Sequence, residues 1–110
     1  MNQREIKFRA IGTITKKNFG IFTPLDLDFV MPNFPEDITW LQFTGLKDKN
    51  SKEIYEGDIV ETPNRKKPYL IRFAGGKFYL DYTEEGEDLT DPLWIKVIGN
   101  IYENPELLTP

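Results

Sequence analysis

The sequence has 110 residues, of which 39% are apolar and 29% are charged, a composition typical of one globular domain. It contains no cysteine and no histidine, which excludes disulfides, Cys/His zinc sites, cysteine nucleophiles and Ser-His-Asp catalysis. The net charge of −4 argues against sequence-independent nucleic-acid binding, and the absence of any long apolar run predicts a cytoplasmic protein with no membrane segment.

The segment Glu5–Ala10 alternates polar and apolar residues, which predicts a half-buried strand. Its basic residues alternate with aromatic ones, and Arg72-Phe73 and Lys77-Phe78 repeat this pattern, which single-strand nucleic-acid binders use to stack bases. Neighbours on a strand point to opposite faces. We therefore expect the aromatic rings to enter the core, while Lys7 and Arg9 stay outside.

Short strands separated by Gly, Pro and Asn predict a mainly β fold. Residues 16–20 and 48–51 are predicted turns, Gly75-Gly76 a tight hairpin turn, and the tail after Pro105 one short turn. The further strands are predicted at Leu25–Val30, Ile38–Thr44, Asp58–Thr62, Tyr69–Phe73, Lys77–Tyr82 and Trp94–Ile98. The expected architecture is one domain over residues 1–110, either a small, partly open SH3-like barrel or a strongly bent antiparallel sheet.

The acidic residues are the remaining candidates for chemistry. One dense cluster comprises Asp81, Glu84, Glu85, Glu87, Asp88 and Asp91. It lacks the spacing of a calcium loop, so a solvated hairpin end is favoured over a metal site or an acidic partner-binding face. For Asp58, which follows Gly57, we favour acceptance of hydrogen bonds from nearby backbone donors over a catalytic role.

Two basic clusters are local exceptions to the acidic balance. The first comprises Arg4, Lys7 and Arg9, and the second is the run Arg65-Lys66-Lys67, the better loop candidate for nucleic acid. The loop from Lys47 to Asn50 has the composition of a recognition loop, although that composition also suits the turn itself.

Three blocks of the sequence resemble the YopX family of phage and prophage proteins. They are REIKFRA at 4–10, QFTGLKDKNSKEIYEGDIV at 42–60 and VIGNIYENPELL at 97–108. Ile11 stands where family members typically have tryptophan, and Ser51 where they usually have glycine, which predicts a looser connection than a two-residue turn. The resemblance implies a compact, mainly β domain of phage or prophage origin. It implies no active site, cofactor or functional residue that could be carried over.

Three functions are consistent with these features. The leading hypothesis is a non-enzymatic accessory protein that binds a host or phage protein through exposed aromatic surface or an open sheet edge, with self-assembly into a symmetric oligomer as a companion expectation. The alternative is a nucleic-acid-binding small β-barrel. The third, a carboxylate or metal-dependent hydrolase, requires acids from separate strands to converge. No catalytic residue, binding residue, metal ligand or cofactor is assigned from the sequence.

Overall fold

The computed structural model describes residues 5–23, 37–63, 65–81, 87–88 and 94–108, with the backbone alone for residues 65, 87 and 88. These residues form nine strands and a 3-10 helix at Pro105–Leu108, which confirms the short turn predicted there. In chain order the strands are β1 (Phe8–Gly12), β2 (Asn18–Phe22), β3 (Ile38–Lys47), β4 (Glu53–Tyr55), β5 (Asp58–Thr62), β6 (Arg65–Ala74), β7 (Lys77–Asp81), β8 (Glu87–Asp88) and β9 (Lys96–Asn100).

The strands form two antiparallel sheets, with the orders β2-β1-β3-β4 and β8-β7-β6-β5-β9. The chain passes from the first sheet to the second at the corner between β4 and β5. Gly57 turns this corner with a φ of 86°, a left-handed angle that favours glycine. The predicted mainly β fold is confirmed, in the form of two bent sheets and not a closed barrel. Within the described ranges, no helix is long and apolar enough to cross a membrane.

The main core lies on one face of the second sheet. Its buried members come from β4, β5, β6, β7 and β9 and the residue before β9, and they are Ile54, Val60, Tyr69, Ile71, Leu80, Ile95 and Val97. Leu46 of β3 and Phe78 of β7 pack against this cluster. Because β3 and β4 belong to the first sheet, the core joins both sheets, and burial of these side chains drives their association.

The hairpin predicted at Gly75-Gly76 is confirmed. Ala74 pairs with Lys77, so the two glycines form a two-residue loop, and both have positive φ, 61° and 80°. Such angles are required at both central positions of a type I′ turn, and they explain why glycine occupies both positions.

The prediction of a turn at residues 16–20 was wrong in part, because β2 begins at Asn18. The chain reverses earlier, at residues 13–16, where Asp37 accepts hydrogen bonds from the backbone N–H groups of Thr13, Ile14 and Thr15. A polar residue can begin β2 because this residue, Asn18, is exposed to water. The strand predicted at Leu25–Val30 lies outside the described residues.

The turn between β3 and β4 is looser than a two-residue turn, as predicted. The Ser51 N–H donates to the Asp48 carbonyl at 3.0 Å, and the Asp48 N–H donates to the Lys52 carbonyl at 2.8 Å. This pattern is a three-residue hairpin loop, whose last position requires the left-handed region. Ser51 occupies that position with a φ of 65°.

Replacing Ser51 by glycine is expected to stabilise the fold. The left-handed conformation costs a non-glycine residue about 1–2 kcal/mol, and the greater freedom of glycine in the unfolded chain cancels part of the gain. We expect Ser51→Gly to raise the free energy of unfolding by about 0.5–1 kcal/mol in urea denaturation. Ser51→Ala, which keeps the strained angle, is the matched control. An equal gain in both variants would contradict this explanation.

Candidate functional site

Lys7, which precedes β1, and Arg9 of β1 do not stay outside, so that prediction was wrong. The side chains of Lys7 and Arg9 are each only 13% exposed. Lys7 Nζ lies 4.7 Å from the centre of the Phe43 ring, and Arg9 Cζ lies 4.4 Å from the centre of the Tyr55 ring. The alternation in the sequence predicted two faces for this segment, but the face with the charges is the one that meets β4 and β5.

Arg9 and Asp58 form a buried ion pair between the two sheets. Arg9 Nη1 donates to Asp58 Oδ1 at 2.8 Å, and the Tyr55 N–H donates to Asp58 Oδ2 at the same distance. Asp58 is 0% exposed. The bond from Tyr55 confirms that Asp58 accepts a hydrogen bond from a nearby backbone donor, while the pairing with Arg9 was not anticipated.

Burial raises the pKa of Asp58 to about 6, although Arg9 and the Tyr55 N–H act in the opposite direction. A carboxyl group with this pKa changes its charge in mildly acidic solution. Burial also raises the pKa of Tyr55, to about 12, with a further contribution from Glu53. The Tyr55 hydroxyl therefore stays protonated at neutral pH and acts as a hydrogen-bond donor.

A second, more exposed group of charges surrounds Lys7. Its ammonium group forms a short hydrogen bond with Glu53 and an ion pair with Glu5 at 3.2 Å. The hydrogen bond to Glu53 raises the pKa of Lys7. Burial acts to raise the pKa of Glu53, but the bonds from Lys7 and from the Tyr55 hydroxyl, at 3.1 Å, lower it overall. Lys7 therefore remains charged and anchors the residues before β1 on β4.

Asp48 connects the β3–β4 turn to the second sheet. Its Oδ1 accepts the N–H groups of Asn50 and Lys52, both at 2.9 Å, and its Oδ2 accepts the N–H of Val97 on β9 at 2.8 Å. Burial by itself raises the pKa of this carboxyl, but the three backbone donors outweigh it, so the pKa lies below its usual range. The segment Lys47–Asn50 is therefore held by bonds that serve the fold.

The closing segment, residues 100–104, is held by hydrogen bonds to the side chains of two asparagines. Asn100 Oδ1 accepts the N–H groups of Tyr102 and Glu103, at 3.0 and 2.8 Å. Asn104 Oδ1 accepts the Asn100 N–H at 3.2 Å. A Cβ on Gly99 would lie 2.6 Å from Asn104 Oδ1, which explains the glycine. The backbone N–H groups of Val97 and Asn100 on the outer edge of β9 are thus bonded to side chains. This edge therefore offers fewer donors for pairing with another strand.

The other candidates from the sequence do not gather into one site. In the acidic cluster, residues 84, 85 and 91 lie outside the described residues, and Asp81 forms an ion pair with Arg72 at 3.5 Å. No group of three or more acids suited to a metal occurs among the described residues. Lys66 and Lys67 are exposed on β6, while Arg4 lies outside the described residues.

A polar groove of about 320 Å³ lies beside these charges. Its lining includes the Arg9–Asp58 pair, one strand of the second sheet and the closing segment, with side chains from Asn18, Lys52 and Glu103. The groove brings together residues that are far apart in sequence, and only the topology of the two sheets could reveal it.

Removing the cation of the buried pair is expected to be more harmful than removing both charges. Arg9→Met leaves an uncompensated buried carboxylate, and we expect a loss of about 3–5 kcal/mol in the free energy of unfolding. The double variant with Asp58→Asn should recover part of this loss, because the buried charge is then absent. Additive effects of the two substitutions in urea denaturation would contradict the pairing.

The free energy of unfolding should depend on pH in a way that reflects the titration of Asp58. Its pKa is raised from 3.8 to about 6, so between these values the folded chain keeps a proton that the unfolded chain releases. Wild-type stability should therefore fall, relative to Asp58→Asn, by about 1–3 kcal/mol as pH rises through this window. Asp48 acts with the opposite sign, since its lowered pKa gives stability that is lost as pH falls below about 4. Parallel curves for the two proteins in urea denaturation would refute the shift at Asp58.

Comparison with known proteins agrees with the resemblance found in the sequence. The crystal structure of protein EF1440 from Enterococcus faecalis is similar to this chain with a TM-score of 0.69 and 26% sequence identity, covering 97% of this chain and 100% of that chain. No functionally curated protein matches. A family model described as YopX protein matches residues 5–109, and the chain therefore belongs to the YopX family.

Proposed function

We propose that this chain is a non-enzymatic accessory protein of a bacteriophage or prophage, which acts in the bacterial cytoplasm by binding another protein. The assignment to the YopX family supports the origin, through the resemblance stated above. The roles of the buried acids support the absence of catalysis. Asp48 and Asp58 both use their oxygens to hold backbone N–H groups or Arg9, so neither carboxylate is placed to act on a substrate.

The observation that carries the proposal is the exposed ring of Phe73, which packs against Phe78 at the end of the β6–β7 hairpin. The ring centres of Phe73 and Phe78 are 4.6 Å apart, and Phe73 is 40% exposed. These residues oppose each other on the face that carries the core, but at the end of the hairpin Phe73 extends into solvent. Aromatic side chains that are already held by packing are typical anchors of protein interfaces.

The exposed ring, and not the charged residues next to it in the sequence, defines the chemistry of the partner. The side chain of Arg72 is 54% exposed, and Lys77 is exposed as well. Because neighbours on a strand point to opposite faces, Arg72 and Lys77 lie on the other face from the two rings, and Arg72 is paired with Asp81. The exposed ring is therefore complementary to an apolar surface. The proposed partner is therefore a host or phage protein with such a surface.

The test is affinity capture of the tagged chain from bacterial lysate, with and without nuclease, followed by mass spectrometry. We expect a nuclease-resistant partner that is retained by wild type and lost with Phe73→Ser. Ile14→Ser is the matched control, because Ile14 is 81% exposed on a different turn. Urea denaturation of each variant verifies that it is folded. Retention by the Phe73 variant, or loss from both variants, would refute the hairpin as the contact.

Self-association is the companion prediction. Size-exclusion chromatography with light scattering, at tens of micromolar protein, tests whether a second copy occupies the same hairpin. An oligomer that Phe73→Ser dissociates would identify the partner as this chain itself. Only monomer at that concentration would refute self-assembly and leave a different protein as the partner.

Nucleic acid is the second candidate ligand. Lys66, Lys67 and Arg72 are exposed along β6, beside the exposed ring of Phe73, and this combination suits a single-stranded ligand. The net charge of −4 opposes it. Recovery of nucleic acid alone in the capture experiment, lost in moderate salt, would place this function first.

A further inference from the structure

The polar groove over the Arg9–Asp58 pair has the size of a small-molecule site. Its volume of about 320 Å³ lies at the lower end of the range for ligand pockets, roughly 300–1,000 Å³. The strand β9 lines one side, but its donors at Val97 and Asn100 are already bonded to side chains. The groove therefore offers side chains to a ligand, and not a strand edge to an extended peptide.

Arg9 keeps donors available for such a ligand. A guanidinium has five N–H donors, and within the described residues this one makes a single hydrogen bond, from Nη1 to Asp58. The side chain of Arg9 is 13% exposed and lines the groove, and its other N–H groups make no hydrogen bond within the described residues. The bond to Asp58 and the Tyr55 ring hold the guanidinium in place. A held guanidinium with open donors suits a carboxylate or a phosphate group.

The charges around the groove favour an anion on the Arg9 side. Arg9 and Asp58 balance each other, while the exposed Lys52 adds a positive charge. The carboxylate of Glu103 also lines the groove, where Asn100 Nδ2 donates to it at 2.9 Å. An anionic group is thus attracted toward Lys52 and Arg9 and repelled by Glu103, which fixes the orientation of a ligand.

We propose that this groove binds the oxyanion of a small polar ligand, a carboxylate or a phosphate, through the guanidinium of Arg9 and the ammonium of Lys52. The site is separate from the β6–β7 hairpin and goes beyond the protein-binding function proposed above. Asn18 also lines the groove, but its Oδ1 accepts the Gly20 N–H at 2.8 Å and its Nδ2 donates to Glu103 at 3.5 Å, so the ligand contacts are those of Arg9 and Lys52.

Binding of the oxyanion is linked to a proton on Asp58. The groups that act on this carboxyl are Arg9 of β1, the Tyr55 N–H of β4 and Lys52 of the turn. Because its pKa is about 6, Asp58 gains a proton in mildly acidic solution, and it then no longer repels an anion at Arg9. The chain has no histidine, the side chain that ordinarily titrates in this range. Binding should therefore tighten as pH falls from about 7.5 to about 5.5.

The test is a titration of the isotope-labelled full chain with sulfate, followed in amide and arginine NMR spectra. Sulfate keeps its charge over this pH range, and acetate serves as the carboxylate probe. We expect saturable shifts at the Arg9 Nε–H and the Ile98 and Gly99 amides, and a sulfate Kd about 3- to 10-fold lower at the acidic end. A response to sulfate alone assigns a phosphate-type ligand, whereas a response to both probes extends the site to carboxylates.

Two lysine substitutions provide the control. Lys52→Gln is expected to weaken sulfate binding about 3- to 5-fold, the size of one exposed charge contact. Lys77→Gln, on the β6–β7 hairpin, should leave it unchanged. Both side chains are on exposed residues, so both variants should fold. Shifts that do not saturate, an equal effect of both substitutions, or a Kd that does not depend on pH would overturn the proposal.

Discussion

A carboxylate without access to water needs a cation and N–H donors in place of its hydration shell. Asp58 obtains both across the junction of the sheets, the cation from Arg9 of β1 and the N–H from Tyr55 of β4. Because β1 and β5 belong to different sheets, this pair restricts how the sheets can sit relative to each other. Arg9 Cζ also lies over the Tyr55 ring, Asp58 directly follows the Gly57 corner, and both members of the pair line the polar groove.

Asp48 and Asp58 show how two buried carboxyls of one chain acquire opposite pKa shifts. Asp48 accepts three backbone N–H groups, which together outweigh its burial. Asp58 accepts one backbone N–H and one guanidinium N–H but is more deeply buried, and its pKa rises. Asp48 therefore keeps its charge at neutral pH, while Asp58 gains a proton in mildly acidic solution. Asp58, and not Asp48, is therefore the carboxyl through which a change of pH alters the charge beside the groove.

The sequence predicted those features that depend on neighbouring residues. The hairpin at Gly75-Gly76, the looser turn ending at Ser51 and the acceptor role of Asp58 follow from local backbone chemistry, and all three are present. Strand alternation could not predict which face of β1 meets the second sheet, so Lys7 and Arg9 were placed outside. The groove was missed for the same reason, because its walls come from distant parts of the chain that only the two-sheet topology unites.

Two hydrogen bonds to carboxylates join the sheets, and each connects residues far apart in the sequence, which affects the order of folding. The bonds from Arg9 to Asp58 and from Val97 to Asp48 each join residues 49 positions apart, whereas the bonds inside the 48–52 turn join residues 2 and 4 apart. Short loops close within about 10–100 ns, and distant contacts slow the overall rate. The 48–52 turn is therefore expected to form early, while Asp48 Oδ2 still lacks the hydrogen bond from Val97. During that interval the edge of β5 that later pairs with β9 is uncovered, and an uncovered strand edge is where a refolding chain can pair with another copy.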